Sequence, residues 1–101
     1  MEISYYTQKI VEFIELLEEY YKSDVSESLD ALENFGHEIE LPHSKSLGHG
    51  LFELRCVSSG IRLFYIFKNN KAIILHVIFK KQSKIPQRDL ELARKRQKMF
   101  D

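Results

Sequence analysis

The 101-residue sequence contains a single cysteine, two prolines, four glycines and no tryptophan. One cysteine excludes an internal disulfide, and Cys56 sits in an apolar run, where a thiol acts as a small buried hydrophobe rather than as a nucleophile. No run approaches the roughly 18 to 20 apolar residues of a membrane span, so no membrane partner is expected. Glu2 and Glu12 break up any apolar segment near the start, so no secretory leader is expected and the cytoplasm is the expected compartment. The four histidines, His37, His43, His49 and His76, are scattered without His-x-x-x-His spacing, and one cysteine cannot supply Cys-x-x-Cys. A metal site is therefore not expected. There is also no Gly-rich phosphate loop and no G-x-S-x-G elbow, so no cofactor of any kind is expected.

The chain has the length for one domain, residues 1–101, with a single modest core. Its net charge of zero hides a division along the sequence. From Met1 to Ser44 eleven acids face Lys9 and Lys22, a balance of −9, whereas from Lys45 to Asp101 thirteen Lys and Arg face four acids, a balance of +9. Such asymmetry points to a polyanion partner for the basic half.

The basic half begins with a β signature. Leu51 to Val57, Ile61 to Phe67 and Ala72 to Phe79 are rich in β-branched and aromatic residues, with only Ser58-Ser59-Gly60 and Lys68-Asn69-Asn70-Lys71 between them. Gaps so short predict a three-stranded antiparallel meander. With Ser59-Gly60 as a two-residue turn, Arg55 faces Phe64 and Val57 faces Arg62, which makes the two arginines diagonal neighbours on one face. Lys80, Lys81 and Lys84 follow the last strand, so five cations surround one locus. The competing reading is that each arginine pairs with a carboxylate such as Glu53.

Before the meander, Ile10, Phe13, Ile14, Leu17, Tyr20 and Tyr21 recur at helical spacing after Thr7, a candidate N-cap. A second helix is expected from Ser23 or Asp24, with Asp24 and Glu27 spaced as a capping box and Gly36 at its end. The two form a hairpin whose apolar face needs the sheet as cover. Met1 to Tyr6 reads as a short strand or an extended arm, and Glu38 to Gly50, with Lys45, as a loop. Pro86 fits the first position of a last helix, favoured by Asp89 and Glu91 at its positive end, on which Arg88, Arg94, Lys95, Arg96 and Lys98 form a cationic surface. The expected architecture is α+β: a helical hairpin on a small antiparallel sheet, possibly with a fourth, N-terminal strand, and a basic C-terminal helix.

Gly50-Leu51-Phe52-Glu53-Leu54-Arg55, Gly60-Ile61-Arg62-Leu63-Phe64-Tyr65, then Leu75 through Pro86 and Ala93, resemble the RelE/ParE toxin superfamily, in particular its phage-related HigB-like branch. The resemblance implies the toxin of a type II toxin–antitoxin pair, with mRNA and the ribosome as targets and a cognate, HigA-like helix-turn-helix antitoxin as partner. For RelE-type members it implies a ribosome-dependent mRNA endonuclease; for ParE-type members it implies a gyrase inhibitor, and a non-catalytic RNA- or protein-binding relative is a third reading. By position, Arg55 and Arg62 match the sheet residues that hold the RNA phosphate, and Lys80 and Lys81 match the basic pair after the last strand. Lys84 and His76 follow the branch's pattern, although a strand histidine among Ile74, Leu75, Val77 and Ile78 also fits a hydrogen-bonded core residue. The candidate catalytic set is Arg55, Arg62, His76, Lys80, Lys81 and Lys84, and the candidate RNA-binding set is Lys45, Arg88, Arg94, Lys95 and Lys98. The sequence departs from relatives at Glu53, where some carry a basic residue, and in having no Tyr in its C-terminal segment. The chemistry needs only protein cations, because RNA supplies its own 2′-hydroxyl nucleophile.

Overall fold

The computed structural model describes residues 1–79 and 84–101. Five strands and three helices follow in order: β1 (Glu2–Tyr5), α1 (Gln8–Glu15), α2 (Glu19–Phe35), β2 (Ser44–Gly48), β3 (Leu51–Cys56), β4 (Ile61–Lys68), β5 (Lys71–Phe79) and α3 (Gln87–Gln97). The strands form one sheet in the order β1-β5-β4-β3-β2. The α+β class and the β3-β4-β5 meander are as the sequence predicts. Three details of the sheet differ. The N-terminal strand is real but runs parallel to β5, with Glu2 opposite Lys71 and Tyr5 opposite Ile74, so the sheet is mixed rather than wholly antiparallel. Part of the stretch read as a loop is β2, antiparallel to β3 with Lys45 opposite Glu53. Its Ser-Lys-Ser-Leu-Gly sequence has little strand propensity, and pairing with the hydrophobic β3 overrides that preference.

The third difference concerns the β3-β4 turn. Arg55 pairs directly with Arg62 and Cys56 with Ile61, leaving the four residues Val57 to Gly60 as the loop. The shift from the expected pairing is two residues, so both arginines stay on the same face but move from diagonal to opposed positions, where side chains come closest. Gly60, at φ +80°, closes this turn.

The helices differ at their junctions. The first ends at Glu15 and the second starts at Glu19, so Tyr20 and Tyr21 belong to α2. Asp24 and Glu27 therefore lie within the helix and do not cap it. Asp24 instead accepts a hydrogen bond from the Ser59 backbone N–H at 2.7 Å, tying α2 to the β3-β4 turn. Thr7 occupies the α1 N-cap position without a side-chain cap bond, and Pro86 is the N-cap of α3 rather than its first residue. Gly36 ends α2 at φ +55°, as expected.

Residues opposed across a ladder share a face, so the registers divide the sheet into two sides. One side, with Leu54, Cys56, Ile61, Leu63 and Tyr65, packs on Ile10 of α1 and Val25 and Leu32 of α2. The other side, with Leu51, Phe64, Ile66, Ile73 and Leu75, packs on Ala93 of α3. A bulge between Phe64 and Tyr65 in the β4-β5 register inserts Leu75, so that its neighbours His76 and Ile74 face opposite layers. The molecule is thus a helix–sheet–helix stack, and α3 covers only part of its side. The strip beyond it carries Glu53, Arg55, Arg62 and His76.

Candidate functional site

The strip begins with a buried carboxylate. Glu53 is only 1% exposed in the middle of β3, an expensive place for a charge unless cations meet it. Arg62 Nε lies 3.6 Å from Glu53 Oε2 and Arg55 Nε 4.0 Å from Glu53 Oε1. Both are ionic contacts longer than a hydrogen bond. The pairing with Glu53 that the sequence left open is therefore present, and one carboxylate serves both guanidinium groups. The two arginines differ in freedom. The Arg62 side chain is 13% exposed and donates through Nη1 to the Ile61 carbonyl at 3.1 Å, whereas that of Arg55 is 34% exposed. Together the three side chains carry one formal net positive charge.

Lys45 stands opposite Glu53 on the edge strand β2, so the register brings its exposed side chain to the same face as the arginines. Lys84 is exposed at the start of the approach to α3. Lys80 and Lys81 lie outside the described residues.

His76 stands opposite Phe64 on β5, two residues before Ile78, which pairs with Arg62. Its ring stacks on Phe64 with an 18° interplanar angle and 6.0 Å between centroids. Its Nε2 lies 2.8 Å from Asp89 Oδ1, in the first turn of α3. The histidine is both hydrogen-bonded, as a core residue would be, and open: it lines a cleft of about 460 Å³ at the edge of β5, where β1 has ended, together with Lys9, Phe13 and Arg96. In the sequence, Asp89 is marked only as a residue suited to a helix N-terminus. Nothing in one dimension links it to His76, because only the fold brings α3 back across β5.

Of the C-terminal cations, Arg88 and Lys95 on α3 and Lys98 just after it are exposed. Arg94 is committed to the fold: it donates to the carbonyls of Leu47 at 2.8 Å and Gly48 at 2.9 Å, and Gln97 donates to the His49 carbonyl at 2.7 Å. The β2-β3 turn runs through three positive φ values, +90° at Gly48, +53° at His49 and +82° at Gly50, and α3 gathers its carbonyls. Arg96 likewise donates to the Leu75 carbonyl at 2.6 Å and stacks over Tyr6.

Cys56, on the opposite side of the sheet, is fully buried, and burial pushes its thiol up to about 11. That is the inert structural thiol the sequence indicates.

The family model of the phage-derived Gp49-like proteins matches residues 12–98 of the chain. Among solved structures, the chain is similar to the isolated E. coli RelE toxin in its P21 crystal form, with a TM-score of 0.64 and 13% identity over 89% of this chain and 95% of that one. At that identity the likeness is one of fold. No curated protein matches the sequence.

Proposed function

We propose, from the premise that the chain belongs to the phage-derived Gp49-like family within the RelE/ParE superfamily, that it is a HigB-like toxin of a type II toxin–antitoxin pair which cuts mRNA on the ribosome in the cytoplasm. One observation carries this reading: Arg55 and Arg62 stand directly opposite each other on the side of the sheet that carries Phe64 and Leu51. Two guanidinium groups so placed match the two non-bridging oxygens of a phosphate, and an arginine fork meets a phosphate better than a lysine does. Arg62, braced by the Ile61 carbonyl and Glu53, is the preorganised donor; Arg55, the more open, meets the incoming strand.

In this reading the 2′-oxygen attacks the adjacent phosphorus while its proton passes to His76. The phosphorane that forms gains negative charge against Arg55 and Arg62. The P–O5′ bond then breaks, and an ammonium of the lysine segment, Lys84 or one of Lys80 and Lys81, protonates the departing 5′-oxygen. The products are a 2′,3′-cyclic phosphate and a 5′-hydroxyl, with no metal or cofactor taking part. Lys45, Arg88, Lys95 and Lys98 supply backbone attraction along the strand. The partner is an antitoxin, in this reading a helix-turn-helix HigA-like protein, that covers the strip with acidic or apolar groups.

The carboxylate of Glu53 offsets one of the two arginine charges and favours a second reading, a non-catalytic RNA- or protein-binding module on the same fold. Mapping mRNA ends after induction separates the two. The nuclease reading expects translation arrest with new 5′-hydroxyl ends, and a single 2′-deoxy nucleotide at the mapped site should abolish cutting there. Undiminished cutting at that nucleotide, 5′-phosphate ends, or arrest without new ends would each refute it.

A further inference from the structure

Asp89 has no role in the chemistry set out above, yet its carboxylate makes the only side-chain hydrogen bond recorded for His76 among the described residues. The pair is partly shielded, with side chains 18% and 19% exposed. Phe64 fixes the plane of the imidazole from one side. Asp89 is itself held, because α3 is pinned through Arg94, Gln97 and Arg96 to carbonyls of the β2-β3 turn and of Leu75. A ring held both in plane and at one nitrogen has lost its rotational freedom. Such restraint suits a proton acceptor that must meet one oxygen in one direction.

We propose that Asp89 is a positioning residue for His76. An ionised Asp89 accepts the Nε2 proton, which selects the Nε2–H tautomer and leaves the lone pair on Nδ1 to receive the 2′-hydroxyl proton. As the 2′-oxygen bonds to phosphorus and the 5′-oxygen departs, the proton gained at Nδ1 makes an imidazolium, and the Asp89 carboxylate stabilises that charge. Other charges around the ring act in the opposite sense: Lys9 on α1 and Arg96 on α3 line the same cleft, and Arg62 lies two residues along the neighbouring strand from Phe64, His76's partner. Asp89 is the one acid recorded in contact with the ring among the described residues. This role rests on the nuclease reading.

The test compares Asp89→Asn, which keeps shape and helix N-terminal preference, with Asp89→Ala, Asp89→Glu, His76→Ala and the Asp89→Asn/His76→Ala double variant, in a translation reaction programmed with one mRNA. Asp89→Asn should lower kcat about 10- to 100-fold with little change in KM, by analogy with the effect of general base catalysis, while thermal melting stays near that of the parent. Asp89→Glu should restore part of the loss. The double variant should be no slower than His76→Ala, since residues acting as a unit are not additive. Nitrogen-15 NMR of the free protein should report the Nε2–H tautomer for His76 in the parent and a mixture in Asp89→Asn. A parent that cuts mRNA alongside an equally active Asp89→Asn overturns this role alone, as does an Asp89→Asn loss that persists undiminished on the His76→Ala background, or an Nδ1–H tautomer in the parent. A folded parent that cuts no mRNA overturns the nuclease reading and this role with it.

Discussion

At the residue scale, Arg62 has two separable roles, one toward the phosphate and one toward Glu53. Arg62→Ala should lower the cleavage rate about a hundredfold or more, the usual effect of losing a preorganised donor. It should also cost about 1–3 kcal/mol of stability, because a nearly fully buried carboxylate loses a cation 3.6 Å away. Adding Glu53→Gln should recover most of the stability in a denaturant titration and none of the activity. Full activity in a folded Arg62→Ala variant would remove Arg62 from the mechanism. Cys56 gives a prediction of a different kind. Its thiol ionises near 9 when solvated and near 11 in the fold, so between those pH values the native state holds the proton that the unfolded state has lost. Stability should therefore fall as pH rises from about 9 to about 11, by on the order of 2 kcal/mol. Burial raises the Tyr5 and Tyr65 phenols in the same sense. Alkaline melting curves of the parent and Cys56→Ala should diverge in that window, and parallel curves would contradict the assignment.

At the scale of elements, α3 and the β2-β3 turn form one unit. Gly48→Ala tests the turn without steric confusion, since a Cβ there meets nothing within 4 Å. At φ +90° it should still cost on the order of 1 kcal/mol in conformational strain. Arg94→Ala should cost about 1–3 kcal/mol by stripping two carbonyls of a charged donor, and it should also speed amide exchange in the first turn of α3, because the pin at one end of the helix helps hold Asp89 at the other. Unchanged exchange there would show that Ala93 and Leu90 seat α3 unaided. These contacts explain which elements were legible beforehand. The meander was readable because β3, β4 and β5 are apolar and separated by obvious turns. Strand β2 was not, because its polar residues become a strand only through the edge that β3 offers. The sequence pattern puts the start of α2 four to five residues late because Asp24 resembles a cap; its actual partner is the Ser59 backbone, 35 residues away.

At the scale of the whole molecule, the division of charge along the chain becomes a division across the sheet. The acidic residues of α1 and α2 lie on one side, and Lys45, Arg55, Arg62 and the cations of α3 on the other. A polyanion should approach the α3 side and be repelled from the helical hairpin despite a net charge of zero. RNA affinity should then fall steeply with salt, by about 0.7 in log K per tenfold salt for each phosphate contacted. Lys95→Glu/Lys98→Glu should weaken binding and flatten that slope, whereas Glu15→Lys/Glu19→Lys on the far side should change it little. Equal effects from both pairs would show that charge position is irrelevant.

The α+β class, the meander, the common face of Arg55 and Arg62, the inert thiol and the separation of charge are all legible in one dimension. Each follows from local propensity, from the two-residue period of a strand, or from composition along the chain. Tertiary structure alone decided that the arginines are directly opposed, that Glu53 is buried between them, that Arg94 belongs to the fold, and that Asp89 meets His76. These depend on the length of one turn and on where α3 lands. Arg94 reaches carbonyls 46 and 47 residues away in sequence, and no periodicity carries a contact that distant; it exists only once the burial of Ala93 and Leu90 has seated the helix on the sheet.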